Sequence, residues 1–400
     1  MAILATRLAA RDYRCFPSFE LELGGGVTVL VGRNAVGKTN LMEAVQLLTA
    51  GQSFRHPSPR ELVREGCAAA RIALALEGEG RRIEMACDIA PGKRAFTRNG
   101  KRVTAAGVRG VLPSVLFCPD HLDMVKRSAS VRRAALDDFG CQLSERYAHL
   151  VASYERIVEQ RNSLLRDGDP AAGLLGAWDE SLVGTGAALI RHRRALLARV
   201  RERFRAVYGA IAPDEEADLS YVSSLAGDGG ELPEGRDELE GRFRSVLASR
   251  RDEEARRGTT VAGPHRDDVL FTIDGRAARA FGSQGQQRSL VLAWKIAEVK
   301  VTRDILGRYP ILLLDDVMSE LDAERRDAVV RFIEDEIQTV ITTTNLGYFG
   351  ADLLEAATVV PIGRDIGDGV VCHPISLPDK KGDKRPRPRC HAGGGGGHAS

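Results

Sequence analysis

Val31-Gly-Arg-Asn-Ala-Val-Gly-Lys-Thr-Asn40 is the stretch on which the reading of this chain turns. Gly32, Gly37, Lys38 and Thr39 fill every fixed position of the pattern G-x-x-x-x-G-K-[ST], a loop whose backbone N–H groups cradle phosphates. The flanks supply the context the pattern requires. Val27 to Val31 is an apolar, β-branched run that reads as a buried strand, and Leu41, Ala44, Val45 and Leu48 recur behind it at helical spacing. Between a strand and a helix, the glycines let the backbone curl round an anion, and the helix N-terminus adds its partial positive charge. Lys38 then reaches the outer phosphates and the Thr39 hydroxyl ligates Mg²⁺. Arg33, Asn34, Ala35, Val36 and Asn40 complete the expected phosphate-binding set. The stretch implies a nucleoside triphosphate, ATP or GTP.

Working outward, 400 residues bury a large core and are expected to form two domains or more. Apolar residues make up 43% and charged residues 28%, as in an ordinary soluble globular protein. Basic residues exceed acidic ones only by 57 to 55, so any nucleic-acid contact must come from local patches. The cysteines at 15, 67, 87, 118, 141, 372 and 390 form no C-x-x-C pair. That spacing argues against zinc and against a disulfide framework, and it suits a reducing cytosol. No charged leader with an apolar core opens the chain, and nowhere do eighteen apolar residues run together. The expectation is a cytoplasmic protein without a membrane span.

Before the loop, residues 3–8 and 19–23 read as strands joined to the loop strand through the turn Gly24-Gly25-Gly26. Arg11 and Arg14 fall near the nucleotide, either as contacts to base or phosphate or as solvated surface. Beyond the loop helix, alternating runs at 70–76 and 82–89 lead to Phe96-Thr-Arg-Asn-Gly-Lys-Arg-Val103, where Asn99-Gly100 is a strong hairpin signal. An antiparallel β subdomain therefore extends the nucleotide-binding half. Lys93, Arg94, Arg98, Lys101 and Arg102 crowd this hairpin, either as a contact to a phosphate backbone or as a solvated tip. From about 121 to 257 the texture becomes helical, with helices expected near 129–142, 144–166, 170–208 and 236–256. In the third, Leu182, Ala187, Leu189, Ile190 and Leu196 face inward beside Arg191, His192, Arg193, Arg194, Arg199, Arg201, Arg203 and Arg205. That charge run reads either as a solvated face paired with acids or as a DNA-backbone contact. Near 259 the β texture returns at 259–262 and 268–273.

The chemistry gathers at three further places. Pro310-Ile-Leu-Leu-Leu-Asp-Asp316 is an apolar strand ending in two carboxylates. Asp315 is the expected partner of Thr39 in the Mg²⁺ shell, and Asp316 is placed to orient the attacking water, with Lys38 as its catalytic companion. Ser283, Gln284, Gly285 and Gln286 open a helix and so make a second anion site. One chain already holds its phosphates in the first loop, so this second site makes sense facing the γ-phosphate bound by another subunit.

Together these features resemble the ATP-binding-cassette/SMC-type heads and, among them, the bacterial RecF recombination-repair family. The resemblance rests on Gly32–Asn40, Arg161-Asn162, Gly263-Pro-His-Arg-Asp-Asp268, Ser283-Gln-Gly-Gln-Gln-Arg288, Leu313-Leu-Asp-Asp-Val317 and Ser319-Glu-Leu-Asp322, and it spans residues 1 to about 375. SMC proteins interrupt the head with hundreds of coiled-coil residues, whereas the insertion here is under 150. The resemblance implies a weak, DNA-stimulated ATPase that forms a homodimer on binding ATP. It also implies binding to gapped or junction DNA, and loading of RecA-type proteins with RecR and RecO in DNA repair, replication and the SOS response. It places Ser283, Gly285 and Gln286 on the partner's γ-phosphate and Asp322 at the dimer seam. Where transporter cassettes carry a histidine after the last strand, this chain has Thr342-Thr343-Thr344-Asn345. Thr343 is the expected hydrogen-bonding substitute, and a threonine cannot be cationic at any pH.

The expected fold is α/β: an ABC-type P-loop ATPase head with an antiparallel β subdomain and an inserted helical arm. Its expected parts are head residues 1–118, arm 119–258, head 259–375 and a disordered basic, glycine-rich tail over 376–400. The competing reading is an SMC-like structural ATPase that organises a protein partner. A metabolic kinase stands further off, because Ser283–Gln287 has no job there.

Overall fold

The computed structural model describes residues 3–167, 174–227, 230–333, 337–363 and 370–372, so the expected tail lies outside the described residues. Two sheets form the head. The larger is ordered β15-β2-β1-β4-β5-β6-β7. It comprises β1 (Leu4–Tyr13), β2 (Phe16–Glu22), β4 (Ala70–Gly78), β5 (Arg81–Ala90), β6 (Lys93–Arg98), β7 (Lys101–Val103) and β15 (Val370–Cys372). Only β15 runs parallel to its neighbour. Alternation in these strands puts Leu8, Ile72, Leu74, Cys87 and Phe96 on one face, buried.

The second sheet is wholly parallel, in the order β14-β3-β13-β12-β8. Its strands are β3 (Val27–Val31), β8 (Ser114–Phe117), β12 (Ile311–Asp315), β13 (Thr339–Thr343) and β14 (Thr358–Pro361). β12 and β13 are buried at every position, as strands covered on both faces must be. On one side Leu30, Leu313, Val340 and Val360 pack with Leu41, Met42 and Val45 of the loop helix Lys38–Ala50 and with the larger sheet. On the other side Val29, Leu312, Leu314 and Ile341 meet Trp294, Phe204 and Phe271.

The arm is built from helices Ala129–Leu143, Glu145–Asp167, Leu174–Ile211 and Arg236–Ser249, the last followed by Arg251–Arg257. The long helix Leu174–Ile211 serves two cores. Leu182, Ala187, Leu189 and Ile190 pack inside the arm, while Leu196, Val200, Phe204 and Tyr208 pack with the head. Past it, β9 (Ala217–Val222) pairs along its whole length with β10 (Asp268–Ile273), which turns through Asp274-Gly275 into β11 (Arg276–Ala277). Since packing crosses residue 258 in this way, we propose that the head–arm division lies inside the long helix, close to Arg193.

Residues 259–262 do not form the expected strand. Side chains take the bonds a neighbouring strand would have taken: Thr260 N donates to Asn162 Oδ1 (2.7 Å) and Val261 N to Glu254 Oε1 (3.0 Å). Beneath them Arg161, with no exposed surface, donates to Glu254 Oε2 (2.5 Å), Asp179 Oδ1 (2.8 Å) and Thr260 Oγ1 (2.8 Å). The next segment is the tight re-entrant turn at the arm's root. Gly263 has φ of +123° and lies so close to its neighbours that a Cβ would stand 2.6 Å from Tyr154 Oη and 2.7 Å from Phe243 Cζ, so only glycine fits. His265 Nε2 meets the Thr260 carbonyl (3.0 Å) and Nδ1 meets Tyr154 Oη (2.7 Å). A carbonyl only accepts, so Nε2 carries the proton and Nδ1 accepts from the tyrosine. Asp267 accepts from Tyr221, Ser223 and Ser224, and Asp268 holds Arg132 through two 2.8 Å bonds. Arg161-Asn162 and Gly263–Asp268 are therefore the two halves of one joint.

Candidate functional site

In a parallel sheet the strands' carboxyl ends share one edge, where ligands bind in open α/β folds. Here β3 runs into the glycine loop, β12 ends at Asp315, and β13, lying between them, ends at Thr342-Thr343. The register sets Asp315 opposite Thr342 and Val31 opposite Thr343. Thr39 Oγ1 donates to Asp315 Oδ1 at 3.0 Å across 276 residues of sequence, and Thr342 Oγ1 donates to the same oxygen at 2.8 Å. Thr342 Oγ1 in turn accepts from Asp316 N at 2.9 Å.

Loop geometry follows from its glycines. Gly37 has φ of +106°, and a Cβ there would lie 2.5 Å from the Phe16 ring and 2.6 Å from Cys15 Sγ. At Gly32 a Cβ would stand 2.3 Å from the Ile362 carbonyl, and its N–H donates to Thr343 O (3.2 Å). Arg33, Asn34 and Ala35 are exposed at the crest, Ala35 with φ of +64°, and Val36 is half-buried. Lys38 Nζ folds back along the loop, donating to Gly32 O (2.6 Å) and Arg33 O (3.0 Å). Burial lowers the Lys38 pKa, against the opposing pull of the Asp316 and Asp315 charges. Burial raises Asp315, while the Thr342 and Thr39 hydroxyls hold it down. Asp316 is also raised by burial and opposed by Lys38. It takes the left-handed conformation (φ +51°), and its Oδ1 is buried with no partner among the described residues.

A buried carboxylate oxygen without a donor needs a resident group or water to satisfy it. One hydroxyl beside one carboxylate, under a loop that cradles phosphates, fits Mg²⁺, a cation that takes few protein ligands and relies on substrate phosphates and waters. Among the described residues no cluster of three His, Cys, Asp or Glu offers an all-protein metal cage.

The signature lies at the start of the helix Gln284–Leu306. Ser283 Oγ accepts from Gln286 N (3.1 Å) and Gln286 Oε1 accepts from Ser283 N (2.7 Å), a reciprocal capping box. Gln286 Nε2 also reaches Glu215 Oε1 (2.9 Å), just past the long arm helix. Gln284 is exposed, and Gly285 faces the Arg325 guanidinium. Asp322 caps Arg325 N (3.0 Å) and pairs with that guanidinium. Two residues before Ser283, Phe281 is 71% exposed.

Thr343 does not join the acid cluster. Its hydroxyl donates to Asn345 O (3.0 Å) and accepts from Asn345 N (3.1 Å), and Thr342 stands beside Asp315 instead. Arg14 pairs with buried Glu43 on the loop helix (2.7 Å), with Tyr13 and Ser53 on the same carboxylate. This network braces the loop helix and was not visible from the motif. Arg55 donates to Asn40 Oδ1 (3.0 Å) and its charge lowers Asp315. Its only sequence signal is its place in the polar stretch after the loop helix.

The fold and this edge define an ABC-type ATPase head. A model of the RecF/RecN/SMC N-terminal domain matches residues 5–355. The DNA replication and repair protein RecF of Gloeobacter violaceus is 38% identical over 360 residues, covering 88% of this chain and 95% of that one. That of Pelotomaculum thermopropionicum is 39% identical over 353 residues, covering 86% and 95%. A solved structure of the recombination mediator protein RecF with ATP, in the RecFOR pathway, superposes with a TM-score of 0.83 at 27% identity, covering 92% of this chain and 97% of that one. An Smc head bound to the C-winged helix domain of ScpA shares the fold at TM-score 0.53 and 16% identity, with 94% and 98% covered. The chain belongs to the RecF family of DNA replication and repair proteins.

Proposed function

We propose that the chain is an ATP-dependent DNA-binding protein of recombinational repair, in which ATP is clasped between two heads and slow, DNA-stimulated hydrolysis releases the clasp. The observation that carries this reading is the Thr39–Asp315–Thr342 cluster with the unpartnered Asp316 oxygen beside it. Lys38 and the loop N–H groups bind the phosphates, and Thr39 with Asp315 would hold Mg²⁺, which would supply positive charge against the triphosphate. Asp316 accepts a hydrogen bond from the water that attacks the γ-phosphorus, with ADP leaving. Ser283, Gln284, Gly285 and Gln286 meet the γ-phosphate held by the partner head, and Asp322 lies at the seam. Thr342 steadies Asp315, and Thr343 lies one residue on at the end of β13. Gapped or junction DNA is the nucleic-acid ligand, and RecA-type loading with RecR and RecO is the outcome, in line with the relatives' naming as repair proteins.

Sedimentation of wild type, Lys38→Met and Ser283→Arg, with and without ATP and gapped duplex, tests this reading. Wild type alone is expected to become dimeric on ATP. A wild type that stays monomeric with ATP and DNA both present would overturn the clasp.

A further inference from the structure

Between Asp88 and Asp120 the chain carries no acidic residue and six basic ones, five of them on the β6–β7 hairpin. All five (Lys93, Arg94, Arg98, Lys101 and Arg102) are exposed. Among the described residues none of the five makes an ion pair or a side-chain hydrogen bond. The ribbon itself is well set. Asn99 (φ +51°) and Gly100 (φ +75°) form the tight turn, and Asn99 Oδ1 accepts from Glu84 N at 2.8 Å. Among the described residues β7 pairs only with β6, so the ribbon is an edge of the seven-stranded sheet.

Register decides where the charges point. Arg102 sits opposite Thr97, and Lys101 opposite Arg98. Alternation therefore sends Lys93 and Arg102 to one face and Arg94, Arg98 and Lys101 to the other. A cleft of about 600 Å³ is lined by Lys93, Arg94 and Arg102, and one of about 550 Å³ by Arg11, Arg71, Lys93 and Arg102. The acids near the second are already engaged, Asp88 by Arg71 and Asp12 by Arg64. The long arm helix differs in degree: its Arg193, Arg201, Arg203 and Arg205 pair with Asp137, Asp218, Asp304 and Glu216 of the same chain, leaving Arg191 and Arg199 exposed without an ion pair among the described residues.

We propose that the β6–β7 hairpin is the surface on which this protein holds the phosphate backbone of duplex DNA. The inference rests on the DNA-binding reading above and assigns that binding to one ribbon. Unpaired guanidinium and ammonium groups on both faces of an edge ribbon fit the two phosphate walls of a groove, and each contact releases condensed counterions. At the tip, Asn99 Oδ1 is already taken by Glu84 N, so what the ribbon offers is chiefly its five cations, the groups that bind phosphates.

The test is duplex affinity as a function of salt for wild type, the hairpin variant Arg98→Ala/Lys101→Ala/Arg102→Ala and the arm variant Arg201→Ala/Arg203→Ala/Arg205→Ala. A 30-base-pair duplex with a central gap serves as the probe, and ATP-dependent sedimentation checks the fold of each variant. The slope of log affinity against log salt is expected to flatten by roughly 2 to 3 units in the hairpin variant and to stay put in the arm variant. A wild type that binds with a steep slope the hairpin variant retains overturns the assignment and leaves the DNA-binding reading standing. A slope lost in the arm variant instead transfers the surface to the arm. A wild type with no salt-sensitive binding overturns both readings.

Discussion

Arg193 of the long arm helix lies buried against Asp137, with Nε and Nη2 at 2.9 and 2.5 Å from the two carboxylate oxygens, whereas Arg98 of the hairpin stands in solvent with no partner among the described residues. Both come from runs dense in arginine, and by composition alone they are the same kind of feature. What separates them is the distribution of acids in space. The arm helix lies against elements that bring Asp137, Glu216 with Asp218, and Asp304 to it from three separate places in the chain. The hairpin grows from a stretch of chain that has no acid. An arginine matched from within holds the fold, and one left unmatched is available to something else.

The strongest break of this comparison is at the arm's root. Arg161→Ala strands Glu254 and Asp179 without their cation, and the loss is expected to be about 3–5 kcal/mol, read as a fall in the urea midpoint. Acid is next. His265 is held neutral by burial, with the Arg266, Arg133 and Arg161 charges adding to it and the Thr260 carbonyl bond opposing, which brings its pKa to about 4. The unfolded chain binds this proton near pH 6.5. The contribution is therefore whole above pH 6.5 and is lost as pH falls towards 4, amounting to about 3 kcal/mol. Comparing wild type with His265→Asn across pH 7 to 4 isolates it, and parallel curves for the two would refute the assignment. The smallest effects fall on the surface. Arg201→Ala, which gives up an exposed pair with Asp218, is expected to lose up to about 1 kcal/mol. Arg98→Ala, with no pair to lose, should stay within about 0.5 kcal/mol of wild type by the same urea titration. A larger loss at Arg98 than at Arg201 would reverse the distinction between the two regions.

Much of this was legible in the sequence, for identifiable reasons. The glycine loop, the paired acids after Leu314 and the Asn99-Gly100 turn are local: each needs only its own neighbours to be read, and each appears where expected. The first three arm helices follow their periodicity to within a few residues, and the fourth, expected over 236–256, breaks at Arg250 into two. What could not be read depends on register and on distant partners. That Thr342 bonds Asp315 follows only from knowing that Asp315 sits opposite residue 342 in β13. The β texture of 259–262 promised a strand, but Asn162, 98 residues earlier, and Glu254, on the helix just before, satisfy its backbone. Which arginines are paired is likewise decided by elements more than ten residues away, as with Arg203 and Asp304.

The strand order carries a consequence for how the chain comes into being. β3, the strand that leads into the glycine loop, has only two neighbours, β13 and β14. Both lie more than 300 residues downstream, at Thr339–Thr343 and Thr358–Pro361. Gln338 closes the same gap with its amide, bonding Ala5 N, Ala5 O and Gly24 O. A ribosome adding 5–20 residues per second needs roughly 15 to 65 seconds to deliver those partners. Throughout that interval an apolar, β-branched strand waits unpaired, and contacts of such long sequence separation form slowly even once the chain is complete. The nucleotide loop is thus among the first parts of the molecule to be made and among the last to acquire its shape, so a nascent chain has no working site until almost all of it has left the ribosome.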